Sequence, residues 1–333
     1  MRHYIYCLLI VCYFILLSVT VAGQSGSNCR HYQNTQGLSY NTVMCLYQDC
    51  QGFIWIGTKN GLNRFDGCDF RVYRRGNYNN CLPNSIINSI TETHDGKLWV
   101  ATDNGVAIYD QNKDKFYHFN MSTSNGEIIT GYIHSVNVDG AGNVWIVAAM
   151  GTYVYNKRQG LQNIRDRIKA YKGANPSLVF IGQSDIIYIY YKNGGIIQYD
   201  IGHRHYREIA KLNFPVTVIK EYDDNSLLIG SSKGLYKLSL LNKVLTKISL
   251  GKFVDNNIYV RAITQVDTGM FWIGTESGIY IYTNRVENHL THSIYSKSFL
   301  SDNAVYAILK DKDGGLWIGT YFGGVDYIPQ KDP

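Results

Sequence analysis

Short apolar stretches recur along the chain, many alternating with polar residues and separated by glycine, asparagine and aspartate. Alternation with period two marks strands that bury one face, and the Gly, Asn and Asp clusters between them mark turns. One stretch breaks the pattern. Residues 5–21 form an uncharged, largely apolar run behind Arg2, with the small residues Thr20, Ala22 and Gly23 at its end. That order predicts a secretory signal peptide over residues 1–23. An uncleaved anchor helix is the alternative, because about 17 apolar residues is the lower limit for a span. Residues 24–333 are therefore expected to be exported and to work outside the cytoplasm.

The five tryptophans, Trp55, Trp99, Trp145, Trp272 and Trp317, stand in one recurring phrase. It reads GFIWIGTKNGLNRFD at 52–66 and returns at 96–110, 142–156, 269–283 and 314–328. Weaker copies at 186–200 and 225–239 put Ile189 and Leu228 in the Trp place, so the register points are 55, 99, 145, 189, 228, 272 and 317. Six places after each stands a glycine: Gly61, Gly105, Gly151, Gly195, Gly234, Gly278 and Gly323. Ten places after stands Phe65, Tyr109, Tyr155, Tyr199, Leu238, Tyr282 or Tyr327.

The phrase reads as a strand, a tight turn at the glycine and a second strand. An apolar run such as Thr42–Tyr47 precedes it, and a further strand such as 70–74 follows. Four strands in about 44 residues, repeated seven times, predict an all-β fold: a seven-bladed β-propeller of four-stranded antiparallel blades. The seventh repeat lacks its outermost strand, and Arg30–Gln33 resembles one, so the N-terminal strand is expected to complete the last blade. Gly61 and Gly278 are expected at positive φ.

The phrase W-I-G-T-x-x-G-L-x-x-F-D, with LSYNTV ahead of it in the first repeat and LSDNAV in the seventh, resembles the two-component regulator propeller repeat. The resemblance spans residues 30–328 and is weakest in repeats four and five. It implies the periplasmic sensor region of a hybrid two-component histidine kinase. Such sensors carry two propellers and a β-sandwich, then a transmembrane helix, kinase, receiver and DNA-binding helix-turn-helix. It further implies carbohydrate sensing and a phosphorelay. No kinase signature occurs in these 333 residues, so signalling is expected from a kinase domain downstream in a longer parent chain.

Composition narrows the picture further. A hydrophobic fraction of 45% excludes disorder, and 32 Gly and 28 Tyr against 5 Pro suit many strands joined by turns. The net charge of +6 is scattered, with no basic stripe, so no nucleic-acid partner is expected. Beyond the signal lie Cys29, Cys45, Cys50, Cys68 and Cys81, an odd count without zinc spacing. If a disulfide forms, Cys50–Cys68 is the expected pair. No metal and no cofactor is expected.

Naming the strands A to D outward from the axis, the D–A and B–C loops share one face. That face carries amides and tyrosines suited to polyols, whose rings stack on aromatics while amides bond hydroxyls. Tyr40, Asn41, Asn84, Asn303, Tyr321 and Phe322 are the candidate ligand-binding residues, at the seams of blades seven, one and two. The expected function is an extracytoplasmic module sensing an oligosaccharide. A non-catalytic protein-interaction scaffold, such as half of a homodimer, is the alternative. A carbohydrate-active propeller enzyme is the second, although among the axial segments only Asp302 is acidic, short of a carboxylate pair. No catalytic site is expected in this chain.

Overall fold

Val43–Gln48, Ile54–Thr58, Gly61–Phe65 and Phe70–Tyr73 pair in that order as one antiparallel sheet, the first blade. Six more four-stranded sheets follow, and strand A of every blade touches strand A of the blade on either side, closing a ring of seven. The computed structural model describes residues 29–330 apart from 77, 79, 167, 169–174, 183–185, 252–257 and 294–299. The signal expected over 1–23 lies outside the described residues. Among these the only helical turns are two three-residue 3-10 segments, and no helix is long and apolar enough to cross a membrane.

Alternation along strand B assigns each side chain to a seam. Ile54 and Ile56 pack toward blade seven with Trp317, whereas Trp55 packs toward blade two with Leu98, Val100 and Tyr109. Burying both faces between blades removes the large aromatic surfaces from water, roughly 25 cal/mol per Å² of apolar area. The glycine two residues after the Trp lets the next blade close in. A Cβ on Gly57 would lie 2.7 Å from Ile87 Cγ2, and one on Gly319 would lie 2.5 Å from Val43 Cγ1.

The N-terminal strand does complete the ring. Arg30–Tyr32 pairs antiparallel with Val325–Ile328 of blade seven, Arg30 opposite Tyr327. His31 Nδ1 lies 2.6 Å from Oδ1 of the fully buried Asp326, whose Oδ2 accepts the Ser301 backbone N–H.

The turn glycines hold the predicted conformation at Gly61 (φ +134°) and Gly278 (φ +107°). Their N–H groups donate to the following D–A loop, at Ser85 O and Asn303 O. Two blades depart from the expected register. In blade four Ile187 and Ile189 face back toward Trp145, while Tyr188 and Tyr190 face forward toward Leu227 and Ile229. Tyr188, not Ile189, therefore holds the tryptophan position. The hairpin is one residue longer, and the positive φ falls on Gly194 rather than Gly195. Blade seven has the same extra residue. Gly324 (φ +81°) gives its carbonyl to Thr320 Oγ1 and its N–H to Asn41 O, so it is the counterpart of Gly61. Gly323 is needed for a different reason: a Cβ there would run into Ser301.

The five described cysteines are free thiols, and the Cys50–Cys68 pair is not formed. Burial pushes the Cys45 thiol up to about 12.

Candidate functional site

Strand A begins with a β-bulge in every blade. Pairing with strand B skips one residue each time: Met44, Asn88, His134, Ser177, Thr217, Arg261 and Tyr306. A bulge re-aims the extra side chain, and here the seven bulged residues ring the axial mouth beside the D–A and B–C loops. Two of them also stitch the ring. Asn88 Nδ2 donates to Ile133 O (2.9 Å) and Thr217 Oγ1 to Val260 O (2.6 Å), each the first residue of the next blade's strand A.

Around blades six, seven and one the mouth becomes an aromatic and cationic band. Arg261 sits 3.8 Å from the Tyr259 ring centroid and 4.5 Å from that of Tyr306, held by Glu276 Oε1 at 2.6 Å. Tyr306 packs 5.0 Å from Tyr321, which packs edge-on against Phe322 at 4.7 Å. Lys59 of blade one donates to Tyr321 Oη at 2.6 Å. Phe322 is 70% exposed and Tyr40 46%, so two aromatic rings of this face meet water. Farther round, the His134 ring stands edge-on to Tyr132 at 4.4 Å. Partial burial, reinforced by the Lys192 charge, lowers its pKa. It is neutral at pH 7, with both a donor and an acceptor to offer.

The six sequence candidates separate into two groups. Tyr321 and Phe322 lie within the band, and Tyr40 stands exposed at the opening of blade one. The three amides serve the loops. Asn41 Oδ1 accepts from Asn34 N (2.8 Å), Asn84 Oδ1 from Ile86 N (2.8 Å) and Asn303 Oδ1 from His292 N (2.7 Å). Arg261, Tyr306 and Lys59 were not among the candidates. The bulge that aims Arg261 and Tyr306 is a backbone event without a residue-type signature. Lys59 stood in a hairpin that reads as an ordinary turn.

Three acids of this face are engaged: Glu276 by Arg261, Asp103 by Asn88 Nδ2 and Asp302 by the Phe322 N–H. Among the described residues, no group of three or more His, Cys, Asp or Glu could hold a metal ion. The arrangement suits binding a neutral, hydroxyl-rich ligand by stacking and charge-assisted hydrogen bonds. The opposite rim, formed by the A–B and C–D loops, holds two clefts. One of about 470 Å³ lies between blades four and five, lined by Phe180, Tyr188, Gln198 and Lys220, and one of about 280 Å³ lies between blades two and three.

Residues 37–60, 81–104 and 300–322 match the two-component regulator propeller family, so the chain carries repeats of that kind. Over 62 residues, 18% of this chain and 4% of the relative, it is 36% identical to a histidine kinase of Formosa agariphila. The fold is similar to extracellular domains of two hybrid two-component systems of B. thetaiotaomicron. The first has TM-score 0.74 at 21% identity, covering 90% of this chain and 41% of that one. The second has TM-score 0.75 at 20% identity, covering 92% and 40%. This chain thus spans well under half the length of these relatives. It is also similar, at 13% identity and TM-score 0.66, to virginiamycin B lyase of Staphylococcus aureus, covering 91% of this chain and 99% of that one. At these identities the likeness to solved structures is one of fold.

Proposed function

We propose that this propeller of two-component regulator repeats is the extracytoplasmic ligand-sensing module of a hybrid two-component system. In this reading it binds an oligosaccharide at the axial mouth of the D–A and B–C face. The observation that carries the reading is the band from Tyr259 through Arg261, Tyr306 and Tyr321 to the exposed Phe322, with Lys59 across the closing seam. Exposed aromatic faces beside donors held in ion pairs and stacks are what a sugar ring requires. The repeat family and the histidine kinase relative support the signalling context. The apolar run over residues 5–21 supports export.

Signalling then follows from linkage. An oligosaccharide that binds one arrangement of the sensor, as a homodimer or within the parent chain, shifts the population toward it by its differential affinity alone. Sensing requires release, so the affinity should be about micromolar, near −8 kcal/mol. Calorimetry of residues 24–333 against a panel of plant and host oligosaccharides tests this, with a cleavage assay on the same panel. Micromolar binding without cleavage is expected. Cleavage would transfer the site to the enzyme reading. Concentration-dependent association without sugar binding would favour the scaffold.

A further inference from the structure

In three of the five tryptophan blades an aspartate six residues before the Trp takes the indole N–H. Asp49, Asp139 and Asp311 accept from Trp55, Trp145 and Trp317 Nε1 at 2.7, 2.8 and 2.9 Å. Their Oδ1 atoms accept the backbone N–H four residues on, at Phe53, Asn143 and Gly315. Each carboxylate thus bridges the same two donors and is itself buried.

Blade two has Thr93 in that place. Its Oγ1 carries one hydrogen, which faces Asp95 Oδ1 (2.6 Å) and Lys97 O (3.1 Å), not the tryptophan. Among the described residues neither the Trp99 indole N–H nor the Lys97 backbone N–H meets an acceptor. Trp99 is only 3% exposed, yet it lines the 280 Å³ cleft between blades two and three. The Trp99 Nε1 is not among the side-chain nitrogens sealed from water, so its N–H opens into the cleft, where a ligand oxygen can take it. Trp99, Tyr155 and Ile108 give the cleft an apolar wall, the first two rings 5.5 Å apart. Lys97 and Lys157 give it positive charge, while Asp95, the one acid in the lining, is engaged by Lys157 (2.8 Å) and Thr93.

We infer that this cleft binds the carboxylate of a sugar acid, such as a uronate, in the position that an internal aspartate fills in blades one, three and seven. One carboxylate oxygen takes the Trp99 N–H and the other the Lys97 N–H. The pyranose ring lies against the half-buried Tyr155 and Ile108, with Lys97 supplying the countercharge. The site is on the opposite rim from the mouth and does not depend on the reading given to it.

Tryptophan-labelled ¹⁵N protein tests the assignment, because each indole N–H gives its own resonance and Trp99→Phe identifies the relevant one. Sodium glucuronate should move the Trp99 resonance saturably and leave those of Trp55, Trp145, Trp272 and Trp317 in place. Glucose and sodium chloride at matched concentrations should not move it. Thr93→Asp restores the internal carboxylate, and the response should become at least about tenfold weaker. The other four indole resonances report whether that variant is folded. If it is not, Lys97→Gln replaces it and should weaken the response severalfold. No saturable shift up to about 50 mM, on the scale of a weak millimolar site, would overturn the assignment. So would an equal response to glucose, or a response that survives in the folded variant.

Discussion

Gly319 and Gly278 are fixed by different constraints, and substitutions separate them. Gly319 closes the ring: a Cβ there would lie 2.5 Å from Val43 Cγ1 of blade one, without any unusual φ. Gly319→Ala forces overpacking at the closing seam and should cost about 1–3 kcal/mol. Gly278 combines φ +107° with a Cβ direction that runs into the Leu290 carbonyl. Gly278→Val should cost at least about 1–3 kcal/mol through backbone strain alone. Gly202, at negative φ and 3.5 Å or more from any neighbour, is the control, and Gly202→Ala should stay within about 0.5 kcal/mol. Denaturant unfolding of the three variants measures all of these, and equal midpoints would show that the seams yield.

At the level of elements, the N-terminal strand is the clasp of the ring, and its His31–Asp326 pair makes the clasp pH-dependent. The hydrogen bond to Asp326 raises the His31 pKa above its ordinary 6.5. The stabilisation is therefore fully present below pH 6.5 and fades as the pH rises through the raised value. The melting temperature of wild type should exceed that of His31→Gln most at pH 6 and least at pH 9; a difference independent of pH would remove the pair from the clasp. Sequence legibility also divides by element. Wherever a Trp fixed the phase, strand B and its facing were readable. Blade four was misphased by one because IIYIYYKNGG offers apolar residues at both parities and two adjacent glycines. Blade seven hid its extra residue in the same way, behind Gly323 and Gly324. The bulges that aim Arg261 and Tyr306 left no trace in residue type. The three amides looked like ligand groups because Asn residues that serve turns and Asn residues that serve sugars share one chemistry.

At the scale of the whole molecule, closure of seven blades brings residues from distant repeats to one mouth. Lys59 and Tyr321 are 262 positions apart in sequence and share a 2.6 Å hydrogen bond. The band is held from beneath by ion pairs and stacks, so its exposed end can be cut back without loosening the ring. Phe322 is the place to do so, since its ring touches only Tyr321 among the described aromatic side chains and is 70% exposed. The decisive measurement is calorimetry of Phe322→Ala beside wild type, with the oligosaccharide from the panel that binds most tightly. Loss of one stacking face should weaken binding about two- to tenfold, with the melting temperature unchanged. Undiminished affinity in Phe322→Ala, or a wild-type ring that binds no oligosaccharide at all, would contradict a sugar-binding mouth on this face.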